Sequence, residues 1–212
     1  MPLRNRGTPL GEVIADPARG LIYANRGVLV DARGGVRRRF DGRRWIACRL
    51  EFKGRRRSPL MAPGRYTELF FLDEATAFAA GHRPCGECRY EDYRCFSAIW
   101  QRLHPGQIGA DAMDEQLQAE RIDPATRGQR RHAMASGDLP DGTFVLRDTR
   151  AWLVLGGELR EWTPAGYVGE RRERPSSGAA VVLTPPSLVG VLRAGWEPAT
   201  VPFLHPSAQA AS

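Results

Sequence analysis

Tyr66 to Arg89 reads YTELFFLDEATAFAAGHRPCGECR, and the expectations for the rest of the chain follow from it. Thr67 to Leu72 is apolar and aromatic in the manner of a buried strand. Asp73 stands at an N-cap position ahead of Glu74-Ala75-Thr76-Ala77-Phe78-Ala79-Ala80, a run of mostly good helix formers. Gly81 can take positive φ and stop that helix. Arg83-Pro84 imposes an extended approach to Cys85, and Gly86 is expected to let the backbone curl so that Cys85 and Cys88 aim at one point. The pattern is strand, capped short helix, glycine stop and Cys-x-x-Cys knuckle. Two thiolates in a tight turn suit a tetrahedral zinc ion.

Upstream, Trp45-Ile46-Ala47-Cys48-Arg49-Leu50-Glu51-Phe52 alternates with the period of a strand. Trp45, Ala47, Arg49 and Glu51 fall on one face; Ile46, Cys48, Leu50 and Phe52 fall on the other. Cys48 on that apolar face suits a buried core cysteine or a metal ligand.

Phe70-Phe71, Glu74-Ala75 and Ala80-Gly81-His82-Arg83-Pro84-Cys85-Gly86-Glu87-Cys88-Arg89 together resemble the second half of the metal-binding domain of Ada, the DNA alkylation-repair and regulatory protein. Trp45-Ile46-Ala47-Cys48-Arg49 resembles that domain's first half, so the resemblance covers about residues 40–89. It implies a zinc site with cysteine ligands from both halves, a DNA partner, and methyl acceptance at the matched Cys48. The family places four cysteines on its zinc. Here Phe52 stands at or near the second position, His82 replaces the usual aromatic and Tyr90 the usual proline. The expected ligands are therefore Cys48, Cys85 and Cys88, with His82, Cys95 or a water as the fourth. Cys95 follows Cys88 by seven residues, about 10 Å along a helix axis, which also suits a core position.

The chain has 212 residues, 42% hydrophobic and 26% charged, an ordinary globular balance with enough length for a real core. No apolar run reaches membrane-span length and the N-terminus carries no signal-peptide core, so a cytoplasmic protein with no membrane contact is expected. Four cysteines in such a chain point to metal or catalysis rather than to disulfides. The net charge is +7 and the pI about 9.8, which suits a polyanionic partner. Lys53 is the single lysine, so the arginine excess also fits a coding bias with a solvated basic face. The cations cluster near the knuckle, and the expected nucleic-acid surface comprises Arg43, Arg44, Arg49, Lys53, Arg55, Arg56, Arg57 and Arg83. With no base-reading element in view, binding is expected through phosphates and to depend on salt.

The expected architecture is α+β. Short hairpins are expected at Leu21–Ala24 with Val28–Val30, turning at Asn25-Arg26-Gly27, and at Arg37–Lys53, turning at Asp41-Gly42. Helices follow at Tyr90–His104, with an inner stripe of Tyr93, Phe96, Ile99, Trp100 and Leu103, and at Asp111–Ile122. Ser136–Asp141 reads as a boundary between residues 1–135 and a β-rich part, 136–212. That part holds strands at Gly142–Leu146, Ala151–Leu155, Glu158–Trp162 and Ala180–Thr184, a charged loop at Arg171–Gly178, and one helix ending at Gly195.

Three functions are compatible with these residues. One is a zinc- and nucleic-acid-binding protein, DNA favoured, acting in repair or regulation. Another is an enzyme on nucleic acid or a nucleotide. Asp111, Asp114, Glu115, Glu120 and His132 then form the acid–base pool, with Cys48, His132 and Asp114 as catalytic candidates. The third is a metal-free binding scaffold. His104 suits a helix cap. No P-loop, dinucleotide glycine fingerprint, H-E-x-x-H or G-x-S-x-G motif is present.

Overall fold

The computed structural model describes residues 1–31, 35–55 and 58–209. Asp73 caps α1 (Glu74–Ala79): its carboxylate accepts the Thr76 N–H at 2.9 Å and the Thr76 hydroxyl at 2.7 Å. Every residue of α1 is buried, because the helix is shared by three cores. Ala77 and the following Ala80 pack with Ile22, Ala24, Ala47, Leu69 and Phe71 of the first sheet. Ala75 and Ala79 pack with Phe144, Leu153 and Leu183 of the second. Phe78 enters an aromatic core with Phe96, Trp100 and Trp196. Small side chains let both sheets approach the helix closely.

The first sheet contains β1 (Arg4–Gly7), β2 (Val13–Ala15), β3 (Ile22–Asn25), β4 (Ile46–Cys48), β5 (Leu69–Phe71) and β6 (Arg83–Pro84), in the order β2-β1-β5-β3-β4-β6. It is mixed, since β1 runs parallel to β5 and β4 parallel to β6. The two N-terminal hairpins expected from sequence do not form. Asn25 continues β3 into pairing with Ile46. Arg26 turns inward, donating to the Gly11 carbonyl at 3.0 Å with its guanidinium 4.8 Å from the Trp45 ring. The chain then loops rather than returning as a strand, with Val30 and Val36 meeting in a single bridge. Gly27, at φ +100°, has the Asp41 carbonyl where a Cβ would stand, 2.1 Å away, so the loop closes on glycine.

The second sheet is antiparallel throughout. It contains β7 (His132–Ala135), β8 (Phe144–Arg147), β9 (Arg150–Leu155), β10 (Glu158–Thr163), β11 (Gly166–Glu173) and β12 (Ala179–Val182), in the order β11-β10-β9-β8-β12-β7. β11 occupies residues expected to be a turn and the start of a charged loop, and β7 occupies the basic stretch around His132. Their alternation is masked by arginines and small residues. Helices α2 (Tyr90–Leu103), α3 (Gly109–Arg121) and α4 (Pro186–Arg193) share the core around Phe96, Trp100, Met113, Leu117 and Leu188. Leu103 leaves the expected stripe and is 41% exposed. The fold is α+β. The boundary expected after residue 135 falls where edge strand β7 ends, and the helical core draws on both sides of it. Among the described residues, no helix is long and apolar enough to cross a membrane.

Candidate metal centre and the cleft beside it

β4 determines where Cys48 points. Ala47 enters the core under α1, so Ile46 and Cys48 take the opposite face. The strand order puts β6 alongside: Ala47 pairs with Pro84, and the Cys85 N–H donates to the Ala47 carbonyl at 2.9 Å. Residues far apart in sequence, Cys48 and Cys85, are thereby neighbours. The Cys85 carbonyl then accepts the Arg89 N–H at 3.2 Å, a helical turn that leads into α2 and folds Cys88 back. Gly86 is absent from the positive-φ positions, and a Cβ there would make ordinary contact with Tyr93 at 3.6 Å. The turn therefore does not depend on glycine, contrary to the sequence expectation.

Two buried arginines anchor the knuckle. Arg83 donates to both carboxylate oxygens of Asp114, at 2.9 and 2.7 Å, and lies against Tyr93. Arg89 pairs with Glu74 at 2.5 Å and Asp92 at 2.8 Å. Asp92 also accepts the Ala199 N–H at 2.8 Å and the Thr200 hydroxyl, which ties the C-terminal segment to α2.

The sulfurs of Cys48, Cys85 and Cys88 lie within 4.8 Å of one another, close enough to hold a metal ion. Cys48 and Cys85 are buried and Cys88 is half-buried as a residue. Hydrogen bonds from Cys48 and Cys88, aided by the backbone N–H groups of Cys88 and Glu87, hold the Cys85 thiol well below its ordinary range. The Cys48 thiol is pushed far up, first by its hydrogen bonds to Cys85 and Cys88 and then by burial. The cluster thus gives up one proton readily and resists losing the others. A bound cation would relieve that resistance, because it replaces the shared protons as the positive partner of three thiolates.

The two protein residues expected as fourth ligand are elsewhere. His82 lies behind the sheet, its ring 5.3 Å from Trp45 and 4.7 Å from Phe71. Neither ring nitrogen has a hydrogen-bond partner, and burial, then the charges of Arg26 and Arg121, hold its pKa well below the ordinary value. Cys95 is exposed on α2. Among the described residues, no fourth histidine, cysteine or carboxylate joins the cluster.

The three cysteines line a cleft of about 1240 Å³. Its floor is the outer face of the first sheet. Tyr23 pairs with Cys48 on one side and Phe70 on the other, so the three side chains form one row. The described residues between β4 and β5 supply a wall, tied down where the Met61 N–H donates to Glu68 at 2.7 Å. Arg43, Arg44, Arg49, Lys53 and Arg55 are exposed and line the cleft. Arg43 pairs with Glu115 at 3.2 Å, Arg44 with Asp111 at 3.6 Å and Arg55 with Glu87 at 2.7 Å. Such exposed pairs contribute little to stability and exchange readily for other anions.

The remaining candidates separate into several roles. Arg56 and Arg57 lie outside the described residues. Arg83, expected on the surface, is 2% exposed and spent on Asp114. Asp114, held in that pair, borders the cleft. Glu120 receives the Ser187 N–H and hydroxyl at 2.9 and 2.6 Å and joins α3 to α4. His132 sits in β7 with Nε2 2.8 Å from the Glu120 carbonyl oxygen, outside the cleft. His104 lies against Trp100, ring centroids 4.5 Å apart and tilted by 33°, and its backbone N–H caps the Trp100 carbonyl. Tyr23, Tyr66 and Phe70 line the cleft and were not expected there. The signal available was the two-residue alternation of Ile22–Asn25 and Leu69–Phe71, whose apolar sets face α1. Comparison with family models, with curated proteins and with solved structures finds no match.

Proposed function

We propose that this protein binds zinc through Cys48, Cys85 and Cys88 and binds nucleic acid, DNA favoured, in the cleft where those cysteines lie. The observation that carries the reading is the convergence of three thiol sulfurs within 4.8 Å inside a cleft edged by Arg43, Arg44, Arg49, Lys53 and Arg55. Three soft thiolates favour zinc over hard oxygen-seeking cations. Three protein ligands leave one tetrahedral position for water or a ligand group, the arrangement of reactive rather than purely structural zinc sites. The exposed guanidinium groups suit phosphate oxygens, so the affinity should fall with salt.

Elemental analysis of the purified protein tests the metal. About one zinc per chain, lost in both Cys48→Ser and Cys85→Ser, supports one shared site; a metal-free wild type ends the reading. A labelled oligonucleotide titrated at several salt concentrations tests the polymer, and no binding at low salt ends that part.

A second reading concerns chemistry at Cys48, favoured by its place in the lining of the cleft. Its thiolate would attack the methyl carbon of a phosphate methyl ester, forming an S–C bond and releasing the phosphodiester anion. A bound metal would keep the thiol deprotonated at neutral pH. Mass spectrometry after incubation with methylated DNA decides it: an unchanged Cys48 peptide removes the reaction and leaves the binding reading in place.

A further inference from the structure

We propose that the cleft receives single-stranded nucleic acid, with unpaired bases stacked on its aromatic surface and the backbone following its cationic rim. This rests on the nucleic-acid reading above and specifies the form of the polymer. Three observations carry it.

The first is the floor. Tyr23 and Phe70 are neighbours in register, their rings meeting edge to face at 5.9 Å, and Tyr23 is equally in register with Cys48. A base lying on this floor is brought beside the cysteine cluster. The second is the wall, where cations and aromatics interleave. Lys53 Nζ and the Arg55 guanidinium lie 5.1 and 5.5 Å from the Phe52 ring centroid, and Tyr66, 57% exposed, lines the same cleft. Aromatic platforms within a positively edged groove suit single strands, whose bases are free to stack while their phosphates stay outside.

The third is shape and charge together. The cysteines are set back in the cleft, with Cys48 only 6% exposed. A duplex keeps its bases paired and its phosphates outermost, so it rides on the rim; a splayed strand reaches the floor. At about 1240 Å³ the cleft exceeds the roughly 300–1,000 Å³ of small-ligand pockets, which suits several residues of a polymer. Arg43, Arg44 and Arg55 already have carboxylate partners. These exposed pairs exchange for the phosphates of either form, so electrostatics does not choose between duplex and single strand, and stacking does.

Fluorescence anisotropy with a labelled oligothymidylate, its duplex with oligoadenylate, and an abasic strand of equal length tests the inference on the full chain. The single strand should bind more tightly than both others. Tyr66→Ala should weaken single-strand binding roughly fivefold or more and leave duplex binding unchanged. Its exposure makes the variant foldable, and circular dichroism checks that it is. Arg49→Gln and Lys53→Gln should weaken single strand and duplex alike and flatten the salt dependence. Equal or tighter binding of the duplex or the abasic strand would overturn the inference while leaving nucleic-acid binding intact. So would a Tyr66→Ala variant with unchanged single-strand affinity, or polyglutamate competing as well as oligothymidylate. Failure of every nucleic acid to bind removes both readings.

Discussion

Asp114→Ala offers a direct test of how the knuckle is held. Arg83 and Asp114 are only 3% and 4% exposed at their side chains and share two hydrogen bonds of 2.9 and 2.7 Å. Without the carboxylate, the guanidinium keeps only the Pro84 carbonyl at 3.1 Å and the Tyr93 ring. Asp114 also offsets the charge of Arg121, which is buried and lowered to about 9, first by desolvation. Breaking such a buried pair costs about 3–5 kcal/mol, a large part of the roughly 5–15 kcal/mol that holds a domain folded. With a urea slope near 3 kcal/mol/M, the upper end of the usual range, the midpoint should fall by about 1–2 M. Tryptophan fluorescence during urea unfolding reads this directly. Arg83→Met combined with Asp114→Leu should recover most of the loss, because no unpaired charge remains inside. A single-variant cost below about 1 kcal/mol would show that the pair behaves as an exposed one, and a double variant no better than the single would show that the loss does not come from an unpaired buried charge.

Three further outcomes are expected. His82 is neutral in the fold and its folded pKa lies well below the ordinary 6.5, through burial first and then the Arg26 and Arg121 charges. The unfolded chain therefore binds more protons, and this contribution to stability is full above pH 6.5 and is lost below it, by up to about 1.4 kcal/mol per pH unit. Burial raises Asp73 and Glu74 and opposes this slope at acid pH, so the measurement is the difference between wild type and His82→Phe at pH 5 and 7, and identical slopes would contradict the assignment. Gly81→Ala should destabilise by about 1–3 kcal/mol in thermal melting, since Gly81 has φ +86° and a Cβ would lie 2.7 Å from Arg121 Cδ, on a side chain held by the Gly81 carbonyl itself. Cys95→Ser should leave metal content unchanged, and zinc loss in that variant would place Cys95 at the site after all.

The local features of the knuckle segment were legible without coordinates. Asp73 at the cap, the helix after it, the stop at Gly81 and the helix from Tyr90 all depend on neighbours within a turn or two, which short-range chemistry specifies. The candidate ligands Cys48, Cys85 and Cys88 were legible as residue types in two separate segments. Their meeting was expected from the resemblance alone, since it depends on β4 and β6 lying in parallel, a pairing between distant segments that no periodicity encodes. The same limit explains the errors. Arg83 reads as a surface cation until Asp114 of α3 is set against it, and His82 reads as a ligand until Trp45 and Phe71 enclose it. Arg26-Gly27 reads as a hairpin turn until Arg26 finds Trp45 and the Gly11 carbonyl. Composition and short-range patterning establish an α+β chain with a thiol knuckle and a cationic stretch beside it. Long-range packing decides which arginines are buried braces and which remain at the rim, since burial of a charge depends on the partner that arrives from elsewhere in the chain.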